Sequence, residues 1–125
     1  MATITEDYVS FEIAKLLKEK GFNYPCRAVY SPKGTVRHYL KEEVYAHNLK
    51  GHKKLCPTIQ MAMKWLRKVH NLHIDVDPSE GDWNPTVLEL EDWSCVVKPG
   101  DEIPIQDSYE KACEVALTYA LDNLI

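Results

Sequence analysis

The stretch "CPTIQMAMKWLRKVHNLHIDV", residues 56–76, brings Cys56, His70 and His73 together with Arg67 and Lys68. Residues of these types could ligate zinc through a thiolate and imidazoles, or present a basic helix to nucleic acid. They could also be the ends of a core helix. If residues 57–70 are helical, Cys56 and His70 stand roughly 20 Å apart at 1.5 Å per residue, too far to share an ion. His70 and His73 straddle a helix-to-strand junction and lack a third ligand. His70 is explained more cheaply as a cation near a helix C-terminus, beside Arg67 and Lys68. A second set, His47, His52 and Cys56, matches no standard zinc-finger spacing. No metal and no cofactor is expected.

"DVDPSEGDW" resembles a calcium loop because Asp75, Asp77 and Ser79 alternate. An EF-hand needs glycine at its sixth position and glutamate at its twelfth, where this chain has Glu80 and Thr86. The expectation is a solvated acidic turn. The chain contains no G-x-S-x-G, P-loop or G-x-G-x-x-G, and no serine or cysteine carries the local signature of a nucleophile. No catalytic residue is assigned, and the expectation is a protein that is not an enzyme. The remaining chemistry is electrostatic. Lys50, Lys53, Lys54, Lys64, Arg67 and Lys68 form a candidate basic surface for phosphates, on which Trp65 could stack a base unless it belongs to the helix's core face.

These residues sit in a chain of 125 residues, of which 45% are hydrophobic and 27% charged, the balance of a globular protein. A single α+β domain over residues 1–125 is expected. The longest apolar runs fall far short of the roughly 20 residues of a membrane span. "MATITEDY" carries acid where a secretory signal carries a basic and then an apolar stretch, which points to the cytoplasm. Cys26, Cys56, Cys95 and Cys113 form no close pair, as expected of reduced thiols used in packing. The net charge of −4 is unevenly spread. Lys33 to Lys68 holds nine bases against Glu42 and Glu43, whereas Ile74 to Glu110 holds eleven acids against Lys98 alone. Either neighbouring faces compensate each other, or one of them meets a partner of opposite charge.

The elements that must position these residues are three helices and four or five strands. Ser10 caps "FEIAKLLKEK", whose Phe11, Ala14 and Leu17 share a face and which Gly21 and Phe22 close in a Schellman-type end. Residues 26–40 read as a hairpin turning at "SPKG". Residues 41–56 show no period and read as an irregular, mobile connection. Pro57 opens the second helix, with Ile59, Ala62, Met63, Leu66 and Val69 on its core face and Gln60, Lys64, Arg67, Lys68 and Asn71 opposite. Leu72, Ile74 and Val76 alternate with His73, Asp75 and Asp77 as a half-buried strand. "PTVLEL" and "WSCVVK" form a second hairpin turning at Glu91 and Asp92, and "PGDEIPIQD" is a loop. Ser108 caps a last helix whose narrow polar stripe, Glu114, Thr118 and Asp122, predicts burial on more than one side. The order α-β-β-α-β-β-β-α predicts a mainly antiparallel sheet of four to five strands covered by the three helices.

Two resemblances follow. From Pro57 onward the order is that of a double-stranded-RNA-binding domain, and "ACEVALTYALDNL" has that family's alanine spacing. The family's lysine cluster at the opening of the last helix is replaced here by Asp107, Ser108, Tyr109, Glu110 and Lys111. The blocks "YVSFEIAKLLKEKGF", "CPTIQMAMKWLRKVHNLHI" and "SYEKACEVALTYALDNLI" resemble a family of small uncharacterised proteins of Bacteroides-type gut bacteria, their phages and mobile elements. The last two blocks also resemble the helices of a phage helix-and-sheet sandwich domain. The resemblance implies a fold and a genomic setting and assigns no functional residue. The expected function is therefore a non-enzymatic accessory or protein-binding protein of phage or mobile-element origin, a monomer or weak homodimer that binds an unknown protein partner. The alternative is a nucleic-acid-binding module using the basic face of residues 50–68.

Overall fold

The computed structural model describes residues 6–38, 53–97 and 103–125. They form an α+β protein of three helices and two three-stranded antiparallel sheets. The chain divides into two compact units, residues 1–59 and 60–125, each with its own sheet.

In the first unit, α1 (Phe11–Glu19) starts where the Ser10 hydroxyl accepts the Ile13 N–H at 3.2 Å. It ends in a Schellman motif, with Phe22 N–H donating to Leu17 O at 2.9 Å and Gly21 N–H to Lys18 O at 3.2 Å. Gly21 takes φ +91, which an L side chain rarely adopts. Ile13, Ala14 and Leu17 are buried, while Phe11 is half-buried, its ring edge-on to Tyr30 at 5.3 Å. β1 (Ala28–Tyr30) and β2 (Val36–His38) form the expected hairpin in the register Ala28 to His38.

The connection after this hairpin departs from expectation. Residues 39–52 lie outside the described residues, but Lys54–Leu55 form β3, antiparallel to the other side of β1. Leu55 is buried, and Cys56 continues the pairing by donating its N–H to Ala28 O at 2.9 Å. A two-residue strand leaves no readable period, so it adds a strand that sequence alone did not show. Among the described residues the strands therefore number six, in two sheets.

α2 spans Ile59–His70 and starts two residues later than expected. Pro57 belongs to the extended segment before it, where its carbonyl accepts the Val9 N–H at 3.0 Å. Ile59, Ala62, Met63 and Leu66 are buried as the periodicity predicts. Val69 is the exception, at 47% exposed. It lies in the last turn, where the Trp65 ring meets His70 edge-on at 4.8 Å and Trp65 is itself 5% exposed. Trp65 is thus a core residue, and this pair seals the end of the helix in place of Val69.

β4 (Leu72–Ser79) and β5 (Asp82–Glu89) are each longer than expected and meet in a two-residue turn at Glu80 and Gly81. Both turn residues have positive φ, 51 and 89, as a type I′ hairpin requires. The segment that resembled a calcium loop is thus strand and tight turn. β6 (Cys95–Val97) pairs with β5 through Val87 and Leu88. Further along the same side of β5, Trp83 exchanges two backbone hydrogen bonds with Gln106. Pro85 falls between these two pairings, on the side of β5 turned away from β4, so its missing N–H takes no hydrogen bond from the β4–β5 ladder.

α3 (Tyr109–Asn123) is capped by Ser108, whose hydroxyl accepts the Lys111 N–H at 3.2 Å. It packs on β4 and β5 through Ala112, Cys113, Ala116, Leu117, Ala120 and Leu121. This is one stripe with half-buried flanks, not burial on several sides, because the alanines let a single face approach the sheet closely. Among the described residues no helix is long and apolar enough to cross a membrane.

Candidate interaction surface

The structure separates the residues that suggested a metal. Cys56 is buried in the first unit, its thiol directed at Val9 O at 3.6 Å. His70 and His73 lie in the second unit on either side of Asn71, which takes φ 56. His70 Nε2 and His73 Nδ1 are buried without a hydrogen-bond partner among the described residues. No group of three or more His, Cys, Asp or Glu among the described residues is arranged to hold a metal ion. His47 and His52 lie outside them.

The thiols divide by environment. Burial pushes Cys26 up to about 12, with the neighbouring Cys56 adding to the rise. Burial pushes Cys56 up to about 11, and a hydrogen bond with Tyr30 opposes part of that shift. Neither is a thiolate at neutral pH, so neither is a nucleophile. Cys113 is buried on α3 and Cys95 is exposed on β6.

The basic candidates are divided in the same way. Lys64 and Lys68 are exposed and Arg67 half-exposed along one face of α2, in the second unit. Lys53 and Lys54 lie in and beside β3, in the first. Lys54 Nζ sits 5.3 Å from the Phe11 ring centroid, and Lys53 O accepts the Lys18 ammonium at 2.9 Å. Lys50 lies outside the described residues. Lys64, Arg67 and Lys68 thus form one surface within the second unit.

Charge follows the same division. Residues 1–59 hold ten Lys and Arg against six Asp and Glu, net +4. Residues 60–125 hold five against thirteen, net −8. The second unit has the element order of a double-stranded-RNA-binding domain. Its last helix, however, opens on Asp107 and Glu110, and Lys111 lies 3.6 Å from Asp107. That helix end repels the phosphates the resemblance would have it grip.

Sequence reasoning marked the turn between β5 and β6 but not its exposed tryptophan. Trp93, at the tip, is 77% exposed and takes φ 63. Glu89 shapes the tip, its Oε2 accepting the N–H groups of Glu91 at 3.1 Å and Asp92 at 3.2 Å. Asp92 Oδ1 accepts the Ser94 N–H at 2.9 Å, and Glu89 N–H donates to Ser94 O at 2.8 Å. Hydrogen bonds from Ser94, its side chain first and then its backbone, hold the Asp92 carboxyl below the ordinary carboxylate value. The tip is tied to the end of α2, with Leu90 N–H donating to Asn71 O at 2.8 Å and Asn71 Nδ2 to Glu91 Oε1 at 3.4 Å.

No protein-family model matches the chain, and neither does any curated protein or solved structure.

Proposed function

We propose that this chain is a non-enzymatic accessory protein of phage or mobile-element origin that binds a protein partner through the acidic surface of its second unit. The observation that carries the reading is Trp93, an indole 77% exposed on a tip held by its own hydrogen bonds. Tryptophan is enriched among the few residues that dominate protein interfaces, because it offers a large apolar area with only two side-chain torsions to order. A tip already fixed in place loses little further freedom on binding. The surrounding charge favours a basic partner. The genomic setting is supported by the three sequence blocks quoted above.

A photo-crosslinking residue at position 93, compared with one at exposed Asp122, tests the reading. The expected result is an adduct specific to position 93. Its partner, once purified, binds the intact protein at least about tenfold more weakly after Trp93→Ala, the loss of a typical interface anchor. Identical adducts from both positions, or a partner indifferent to Trp93→Ala, reject the proposal.

The second reading, a nucleic-acid-binding module, is favoured by the exposed row of Lys64, Arg67 and Lys68. Its measurement is affinity for duplex DNA and RNA against salt, where each neutralised phosphate of DNA contributes a log–log slope of about −0.9. Only weak, unspecific association is expected, because the unit carrying that row is net −8. Micromolar binding at physiological salt that disappears when Lys64, Arg67 and Lys68 become glutamine would replace the protein-binding reading.

A further inference from the structure

We infer that the β5–β6 tip is a receptor for an arginine side chain of the partner protein, with the guanidinium lying on the exposed face of Trp93 and its N–H groups taken by the carboxylates of Glu91 and Asp92. The inference rests on the protein-binding reading and adds the chemistry of the contact. Three observations carry it.

The first is the indole. Tryptophan is the best aromatic acceptor for a cation, and at 77% exposure a ring face is open to solvent. The second is the unpaired charge. Glu89, Glu91 and Asp92 make no ion pair among the described residues. A carboxylate has about four acceptor sites, so the bonds that Asp92 and Glu91 make to Ser94 and Asn71 leave room for a fork of N–H donors. The third is the support. Glu89 spends its carboxylate on the backbone of residues 91 and 92, which fixes where the other two carboxylates start.

Other occupants fit less well. A purely apolar socket would strip water from carboxylates it could not hydrogen-bond. A nucleic-acid base could stack on the indole, but its phosphates would meet the same negative charge. Lysine offers a compact, strongly hydrated point charge, whereas the planar guanidinium both stacks on a ring and presents parallel donors.

The test uses the intact protein and three blocked peptides, acetyl-Gly-Arg-Gly-Arg-Gly-amide and its lysine and citrulline counterparts. The readout is the indole N–H resonance of Trp93, assigned through Trp93→Phe, with the buried Trp65 as internal reference. The arginine peptide should shift this resonance saturably, at least about threefold more tightly than the lysine peptide, and citrulline should leave it in place. Glu91→Gln with Asp92→Asn keeps the tip's local hydrogen bonding and should weaken arginine binding by about fivefold or more. Equal shifts with lysine and arginine, an affinity unchanged in the double variant, or no shift at about 10 mM arginine peptide would overturn the inference. The crosslinking experiment separates its failure from that of the parent reading. A position-93 partner whose contact peptide lacks arginine sinks the arginine assignment alone, and no such partner sinks both.

Discussion

Leu66→Ala lowers the free energy of unfolding by about 2–5 kcal/mol, while Lys64→Ala, two residues away on the same helix, costs under about 0.5 kcal/mol. Leu66 is 0% exposed in the middle of α2, flanked in the helical phase by buried Ala62 and Met63. Truncation removes the transfer energy of its methyl and methylene groups and leaves a cavity that a packed helix cannot close. Lys64 is exposed and makes no ion pair among the described residues. Urea unfolding of the three proteins, followed by tryptophan fluorescence, to which the buried Trp65 contributes, checks this directly. Equal midpoints for the two variants would mean that α2 is turned differently from the way described here. If the two units unfold in separate transitions, the loss belongs to the transition of residues 60–125 alone, which a second probe on the first unit would reveal.

The second large effect is alkaline. Cys26 and Cys56 ionise at about 12 and about 11 in the folded protein, against an ordinary value of 9.0. Below pH 9 both thiols are protonated whether the chain is folded or not, so they add no pH dependence. Between pH 9 and about 11 to 12 the unfolded chain releases these protons and the folded one keeps them, so stability falls as pH rises. Each thiol can remove up to about 1.4 kcal/mol per pH unit, and the pair should cost about 2–4 kcal/mol between pH 8 and 10.5. Urea midpoints across that range provide the measurement, with Cys26→Ala plus Cys56→Ala as the control that removes both groups. The doubly substituted protein starts less stable, and its midpoint should move much less with pH. Parallel losses in the two proteins would place the alkaline sensitivity elsewhere.

What the sequence revealed depended on how many residues each signal occupied. α1 and α3 were legible because a capping serine, an apolar repeat and, for α1, a glycine stop act together over ten or more residues. α2 was legible in phase, and Val69 failed because periodicity assumes that each turn is covered alike, whereas Trp65 and His70 close the last one. β3 escaped notice because two residues, Lys54 and Leu55, cannot show alternation. Its pairing with β1 was equally invisible, and with it the separation of six strands into two sheets. The acidic turn at Glu80 and Gly81 was expected, but the length of the strands it joins was hidden, since Glu-Gly is a weaker hairpin signal than Asn-Gly and Pro78 and Pro85 argue locally against strand. The charge segregation was fully legible from composition, though not its match to two structural units. Trp93 was the largest omission. It was read as the first residue of a strand, whereas its positive φ places it on the tip.

Pro78 interrupts the outer edge of β4. β4 lies at the margin of its sheet, with β5 its neighbour on one side. The backbone groups of Leu72, Ile74, Val76 and residue 78 face away from β5, since their partners Trp83 and Val87 belong to the row whose N–H groups point toward the third strand. At residue 78 that outward row offers no donor, because proline has none. Asp75 and Asp77 add negative charge between the apolar positions. A second chain attempting to add itself as a further strand would meet an interrupted ladder and its own repelling acids, the combination that natural sheets use to resist stacking into aggregates. High salt screens those acids and removes one of the two obstacles, leaving the proline as the barrier to strand-by-strand growth.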